Sequence, residues 1–148
     1  MTNKQRLSRI QRLVNIRERT RDGAQSALAE AKRKADSDRQ AHVDARENWA
    51  QECDETNDEG SVASVRDFAE RRSHLHTLHR KADRAAVKRE RSEVEEADRL
   101  EEATEAHKEL RKMEVWNDNE TKRIQEETNR RDQKLTDEIA AQRTARRS

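Results

Sequence analysis

The chain has 148 residues, of which 44% are charged and only 30% apolar, and its 33 basic and 32 acidic residues nearly cancel. A globular domain of this length needs far more large apolar side chains to offset the conformational entropy of folding, so a single compact core is not expected. Proline is absent, glycine occurs twice, and good helix formers are abundant. The composition therefore favours long exposed helices over disorder.

The first predicted element is a helix over about residues 4–56. A seam that repeats every 3.5 residues along a helix indicates a coiled coil. Thirteen positions follow this spacing here, and nine of them are apolar: Leu7, Ile10, Val14, Arg17, Arg21, Ala24, Leu28, Ala31, Ala35, Asp38, His42, Ala45 and Trp49.

A loop over about residues 57–63 is predicted next, because residues 56–61 (TNDEGS) are the chain's only cluster of turn formers. Ser64 and Asp67 then resemble a capping box that opens a second helix over about residues 64–146. Eight of the fourteen positions on its predicted seam are apolar: Val65, Phe68, Arg72, Leu75, His79, Ala82, Ala86, Arg89, Glu93, Glu96, Leu100, Ala103, His107 and Leu110.

The short loop makes the two helices antiparallel neighbours. We therefore predict an all-α fold, in which residues 1–148 form one long two-helix antiparallel coiled-coil hairpin with a C-terminal helical extension. A turn near Gly60 makes the numbers of facing residues sum to about 120. Ile10 would then face Leu110, and Leu7 would face Met113. In this register the basic stretch 1–21 partly overlaps the acidic stretch 93–106 along the hairpin.

The same register leaves the end of the second helix without a partner in its own chain. Residues 120–147 would continue alone for about 42 Å, at 1.5 Å per residue. Acidic residues four positions before arginines, Glu126 before Arg130 and Glu127 before Arg131, are spaced to support a lone helix.

No sequence motif predicts a catalytic, metal or cofactor site, and we expect no enzymatic activity. His74, His76 and His79 suggest a metal site, but only the last two share a helix face and no nearby cysteine completes a ligand set. Interleaved charges and scarce aromatic residues argue against nucleic acid as a partner. No apolar run approaches the roughly 20 residues that cross a bilayer, so direct membrane insertion is not expected.

The large apolar residues near the predicted loop are Trp49 and Phe68, with Leu75 and Leu78 beyond them on the second helix. Large aromatic side chains are favoured as anchors in protein interfaces. These residues either lock the end of the hairpin or dock a partner protein.

The C-terminal helix contains the sequence RDQKLTDEIA at residues 131–140. With the predicted hairpin and a length near 150 residues, it resembles the FliJ, YscO and SctO proteins, the stalk family of flagellar export and type III secretion. The resemblance implies a non-enzymatic coiled coil similar to the central shaft of rotary ATPases. Its partners would be a hexameric type III export ATPase, the cytoplasmic ring of the export gate and, for some members, secretion chaperones. Its location would be the cytoplasm, at the inner-membrane secretion apparatus.

The resemblance also assigns candidate residues. Gate binding falls on Phe68, Leu75 and His79 with Trp49 opposite, although Arg72 stands where the family's pattern has an apolar residue. Insertion of the partnerless helix into the ATPase ring would use Ile124, Arg130, Arg131, Lys134, Leu135, Glu138 and Ile139.

Two other functions stay open on the sequence. One is an unrelated coiled-coil scaffold or structural protein. The other is a helical hairpin that binds nucleic acid or acts as a chaperone.

Overall fold

The computed structural model describes residues 2–58 and 64–148. It contains two helices, α1 over Asn3–Asp58 and α2 over Val65–Arg147, and no strand in the described ranges. The fold is an all-α helical hairpin, as the seam pattern predicts. The predicted turn at Gly60, with the rest of residues 59–63, lies outside the described residues.

Both helices begin with side-chain caps. The Thr2 hydroxyl accepts a hydrogen bond from the Gln5 backbone N–H at 3.2 Å, and the Gln5 side-chain oxygen accepts one from the Thr2 N–H at 3.0 Å. This reciprocal pair is a capping box. At α2 the Ser64 hydroxyl accepts from the Asp67 N–H at 3.2 Å, at the position where the sequence predicts a cap. Each cap satisfies backbone donors that have no partner within the helix.

The chain divides into two compact units, and α1 pairs antiparallel with α2 in each of them. The first unit contains residues 1–23 and 104–148, and the second contains residues 24–103. In the first unit the buried apolar side chains are Ile10, Val14 and Leu110. In the second they are alanines: Ala31, Ala35, Ala82 and Ala103. Alanine lets helices approach closely but buries little apolar area, so the seam of the second unit contributes little hydrophobic stabilisation.

The seam of α1 is predicted correctly except at Arg17, which is exposed. On α2 the positions seven residues apart are correct, from Leu75 through Ala82 to Leu110. The seam positions that alternate with these lie one residue earlier than predicted. The predicted residues His79, Leu100 and His107 are exposed. The residues that face inward are Leu78, Ser92, Arg99 and Ala106. This part of α2 is rich in Arg and Glu, so too few large apolar residues mark which of the two phases is correct.

The predicted register is wrong by about one heptad. Arg6 pairs with Glu120 and Gln11 with Asn117 in the first unit, and Lys34 pairs with Glu95 in the second. The residue numbers of these three pairs sum to 126, 128 and 129, not to about 120. Ile10 therefore does not face Leu110, and Leu7 does not face Met113. A slip of seven residues keeps every seam residue on the seam, so the apolar pattern alone cannot detect it.

The correct register also separates the charged stretches. Residues 1–21 lie opposite about residues 107–127, so they do not face the acidic stretch 93–106. By composition the first unit has 18 basic and 12 acidic residues, a net charge of +6. The second has 15 basic and 20 acidic residues, a net charge of −5. A nearly neutral chain therefore consists of two oppositely charged units.

Candidate functional site

The first candidate surface is a groove of about 770 Å³ in the second unit, here called the Trp49 groove. It is lined by Trp49, Cys53, Ala69, Arg72, Ser73, Leu75, His76 and His79. Three of the four predicted gate-binding residues, Trp49, Leu75 and His79, therefore come together. The rings of Trp49 and His79 meet edge to face, with their centroids 5.1 Å apart.

Phe68, the fourth predicted gate-binding residue, is exposed in the first turn of α2 and does not line the Trp49 groove. Its backbone N–H donates to the Ser64 carbonyl at 3.2 Å, so the first turn is formed and holds this ring outside the seam. Arg72 does line the groove and is exposed. A cation therefore stands in the groove where the family resemblance has an apolar residue.

A buried polar layer lies next along the second unit. Asp38 is 6% exposed and Ser92 is 2% exposed, and the Ser92 hydroxyl donates a hydrogen bond to the Asp38 carboxylate. Lys88 Nζ lies 3.7 Å from the other carboxylate oxygen of Asp38. A buried polar group is costly unless it is hydrogen-bonded, and this one has its partner on the facing helix.

Two arginines flank this layer. Arg39 bonds Glu93 at 3.0 Å and Glu96 at 2.8 Å across the seam, and these hydrogen bonds raise the pKa of its guanidinium. Arg89 Nη1 lies 3.3 Å from Nδ1 of His42, and the buried Arg89 Nε has no hydrogen-bond partner in the described chain. Polar residues at seam positions specify the register of a coiled coil, so we assign the layer to pairing of the helices.

The second candidate surface is the solitary segment, residues 128–147 of α2, in which every residue is exposed. At 1.5 Å per residue it is about 30 Å long. It begins about eight residues later than predicted, because the helices pair in the shifted register. Six of the seven predicted ring-binding residues lie in it: Arg130, Arg131, Lys134, Leu135, Glu138 and Ile139. Ile124, the seventh, is half-buried in the paired part of the first unit.

The solitary segment has few internal side-chain contacts. The predicted pairs of Glu126 with Arg130 and Glu127 with Arg131 do not form among the described residues. The hydroxyls of Thr128, Thr136 and Thr144 each donate to the carbonyl four residues earlier. Such bonds are neutral to slightly destabilising for a helix, so the segment depends on its backbone and on any external partner.

The structure contains a third candidate binding surface, which the sequence did not predict. A groove of about 480 Å³ in the first unit, here called the Trp116 groove, is lined by Asn3, Arg6, Arg9, Ile10, Leu13 and Trp116. Leu13 and Trp116 flank the seam on facing helices, so their proximity follows from the register and could not be seen before the register was known. The one sequence signal was Trp116 itself, the second tryptophan of a chain nearly devoid of aromatic residues.

Within residues 2–58 and 64–148 no group of three His, Cys, Asp or Glu residues is arranged to hold a metal ion. His79 instead pairs with Asp83 on its own helix, Nδ1 to Oδ2, at 3.2 Å. Neither described helix has an apolar stretch long enough to cross a membrane.

A family model described as the flagellar FliJ protein matches residues 5–148. The chain belongs to the FliJ family. No curated protein and no solved structure matches it significantly. FliJ proteins are stalk components of flagellar and type III export, and the family is a structural part of the export apparatus. The resemblance carried by residues 131–140 is thereby confirmed at the level of the family.

Proposed function

We propose that this FliJ-family chain is the central stalk of a type III export ATPase and that its solitary segment inserts into the hexameric ring. The observation that supports insertion is the segment itself: a helix of about 30 Å on which every side chain is exposed and free to meet another protein. Family membership supports the choice of the export ATPase ring as the proposed partner.

The composition of the solitary segment suits a shaft inside a pore. It carries six basic and three acidic residues, and its large apolar side chains are Leu135 and Ile139. Exposed ion pairs are individually weak, whereas tightly packed apolar contacts would hold one orientation. A charged shaft with two apolar anchors can therefore sit at several angular positions in the ring. The chain does no catalysis of its own; it stimulates the ATPase and couples it to the export gate.

The Trp49 groove is the proposed contact for the cytoplasmic ring of the export gate. It offers an aromatic anchor in a concave, partly apolar site, the kind of surface that carries much of the energy in protein interfaces. Phe68 adds an exposed aromatic ring on the first turn of α2. Arg72 gives the groove a cation, so an acidic group of the gate is expected at that point. The same chain is proposed to escort secretion chaperones at the cytoplasmic face of the membrane export apparatus.

Deleting residues 128–148 tests insertion. The truncated protein should lose most of its stimulation of the cognate hexameric ATPase, because the inserted helix is gone. Its thermal unfolding, followed by circular dichroism, should stay nearly unchanged, because the deleted residues are exposed and pack against no described residue of the chain. Equal stimulation of the ATPase by the truncated and full-length proteins would show that this helix does not insert into the ring. A large loss of thermal stability would show instead that the segment packs against its own chain.

Phe68→Ala tests the gate contact. Binding to the gate's cytoplasmic ring, measured by calorimetry, should weaken about tenfold, as for the loss of an interface anchor of about 1.4 kcal/mol. Thermal stability should change little, since Phe68 is exposed. Val65→Ala is the matched control, an exposed apolar residue one turn earlier. Equal affinities for wild type, F68A and V65A would exclude Phe68 from the interface.

A further inference from the structure

The Trp116 groove belongs to neither of the surfaces used above, yet it exposes the largest apolar side chain of the first unit. Leu13 is 42% exposed, Ile16 is 54% exposed and Trp116 is 40% exposed. Beneath them Ile10 is buried in the seam. Leu13 and Ile16 are three residues apart on α1, so both lie on the side of the helix that borders the groove. The result is an apolar strip beside a groove between two paired helices.

Cations without partners surround this strip. Lys4, Arg9 and Arg12 are exposed and form no ion pair with the described residues. Arg9 lines the Trp116 groove and also the adjoining depression, which it shares with Lys4 and Arg12. Arg6, in contrast, is held by Glu120 at 3.2 Å. Three cations are therefore available to an incoming anionic group.

Two acidic residues of the neighbouring α2 are engaged in ion pairs, whereas Asp118 is exposed and forms none with the described residues. Glu120 binds Arg6 and also Arg123, the latter at 3.0 Å. Glu109 binds Lys112 at 3.0 Å. Lys4, Arg9 and Arg12 outnumber Asp118, so the unpaired charge around the groove is positive, as is the net charge of +6 on the whole first unit. A field of one sign attracts partners of the opposite sign and raises their rate of association.

We propose that the Trp116 groove binds an amphipathic helix of another protein, with acidic residues flanking its apolar stripe. A groove between two paired helices accepts the apolar ridge of a third helix, whose residues at spacings of three and four would contact Leu13, Ile16 and Trp116. Its carboxylates would lie beside Lys4, Arg9 and Arg12. This inference goes beyond the stalk function, because it concerns a different surface from the solitary segment and the Trp49 groove.

The geometry favours a protein helix over an anionic membrane. A helix that lies on a bilayer presents its apolar residues on a convex outer face. Trp116 instead lines a groove, next to Arg6, whose charge is already neutralised by Glu120. An apolar ridge can enter such a groove, whereas a flat bilayer surface reaches only its rim.

The test uses a synthetic helical peptide of about three heptads, with Leu at the seam positions and Glu at the flanking positions. The same peptide with Lys in place of Glu is its matched control. The full-length chain carries the substitution Trp49→Phe, so that Trp116 is its only tryptophan and the only source of tryptophan fluorescence. The acidic peptide should shift Trp116 emission to shorter wavelength and bind with an affinity that falls as salt is raised. The lysine peptide should do neither.

Two variants then locate the peptide. Arg9→Glu with Arg12→Glu reverses the charge at two positions, and Leu13→Ser with Ile16→Ser removes apolar surface; each double variant should bind the peptide at least tenfold more weakly. Arg143→Glu with Arg146→Glu makes the same change of charge in the solitary segment and should leave peptide binding intact. All these residues are exposed, so circular dichroism should show unchanged helix content.

Four results would overturn the proposal. Equal binding of both peptides, or equal binding by the groove variants and the parent, would exclude a charge-selective groove. A shift of Trp116 emission by phosphatidylglycerol vesicles but not by the acidic peptide would identify a membrane surface. Self-association in ultracentrifugation that the groove variants abolish, without peptide binding, would identify a second copy as the occupant. The chain lacking residues 128–148 should still bind the peptide, so failure of ring insertion and failure of this proposal are separable.

Discussion

At the scale of single residues, Asp38 and Ser92 select how the helices pair. Both are buried on a seam otherwise dominated by alanine, and they are hydrogen-bonded to each other. A slip of one heptad would place Asp38 opposite about Ala85 or Arg99. A buried polar group left without its partner costs about 1–3 kcal/mol. Because one heptad of this seam buries little apolar area, a cost of that size is enough to favour the observed register.

Glu109 makes the stability of the first unit depend on pH. Its hydrogen bond to Lys112, and more weakly the charge of Arg17 on α1, hold the pKa of this carboxyl below its ordinary value. A carboxyl whose folded pKa is depressed stabilises the fold above its unfolded pKa, and this contribution is lost as pH falls through the folded pKa. Because the Glu109 side chain is 41% exposed, solvent screens its interaction with Lys112 and the effect should be small.

Lys112→Met tests this linkage. The pKa of Glu109, followed by NMR titration of its carboxyl carbon, should rise towards the ordinary value, because the largest cause of its depression is removed. The unfolding temperature of the variant should also fall less than that of the parent as pH drops below about 4.5. Lys108→Met is the control, since Lys108 pairs with Glu105 instead. An unchanged Glu109 pKa in K112M would show that the observed contact is not maintained in solution.

At the scale of the helices, the sequence predicts what repeats and misses what fixes position. Nearly all of the α1 seam follows from its spacing, since Leu7, Ile10 and Val14 mark it clearly. On α2 the residues seven apart are correct, but Leu78 and His79 compete for the intervening position and the pattern selects the wrong one. The register is set by polar contacts such as Asp38 to Ser92, which cannot be paired before the register is known. The Trp116 groove was missed for the same reason.

Cysteine crosslinking tests the register directly. In a Cys53→Ser background, Gln11→Cys with Asn117→Cys should react with a short bifunctional maleimide within one chain, because these side chains are in contact at 3.3 Å. Ile10→Cys with Leu110→Cys is the control, and these positions are offset by about 10 Å along the helices. More efficient crosslinking of the Ile10→Cys/Leu110→Cys variant would show that the register predicted from the sequence, in which facing residue numbers sum to about 120, is correct. Linkage only between chains would contradict the hairpin.

At the scale of the molecule, the unequal distribution of charge matters more than its near-zero total. The first unit, which includes the solitary segment, carries +6, and the second carries −5. Charge of one sign steers association and is screened by salt over a Debye length of about 10 Å at 0.1 M. If the basic first unit binds the ATPase ring as proposed, electrostatic attraction should assist the encounter, and Leu135 and Ile139 should add apolar contacts that salt does not weaken.

The double variant Arg130→Glu with Arg131→Glu tests that division of roles. Stimulation of the cognate ATPase should fall by a few-fold at low salt and by less at high salt, because screening removes the contribution of these exposed cations in both proteins. The matched control is Arg80→Glu with Arg91→Glu, which changes the net charge equally in the second unit, at two exposed arginines that form no ion pair with the described residues. If both double variants lose stimulation equally, net charge rather than the solitary segment governs association. If R130E/R131E stimulates like wild type at every salt concentration, these two arginines do not contact the ring, and insertion must rest on the apolar pair alone.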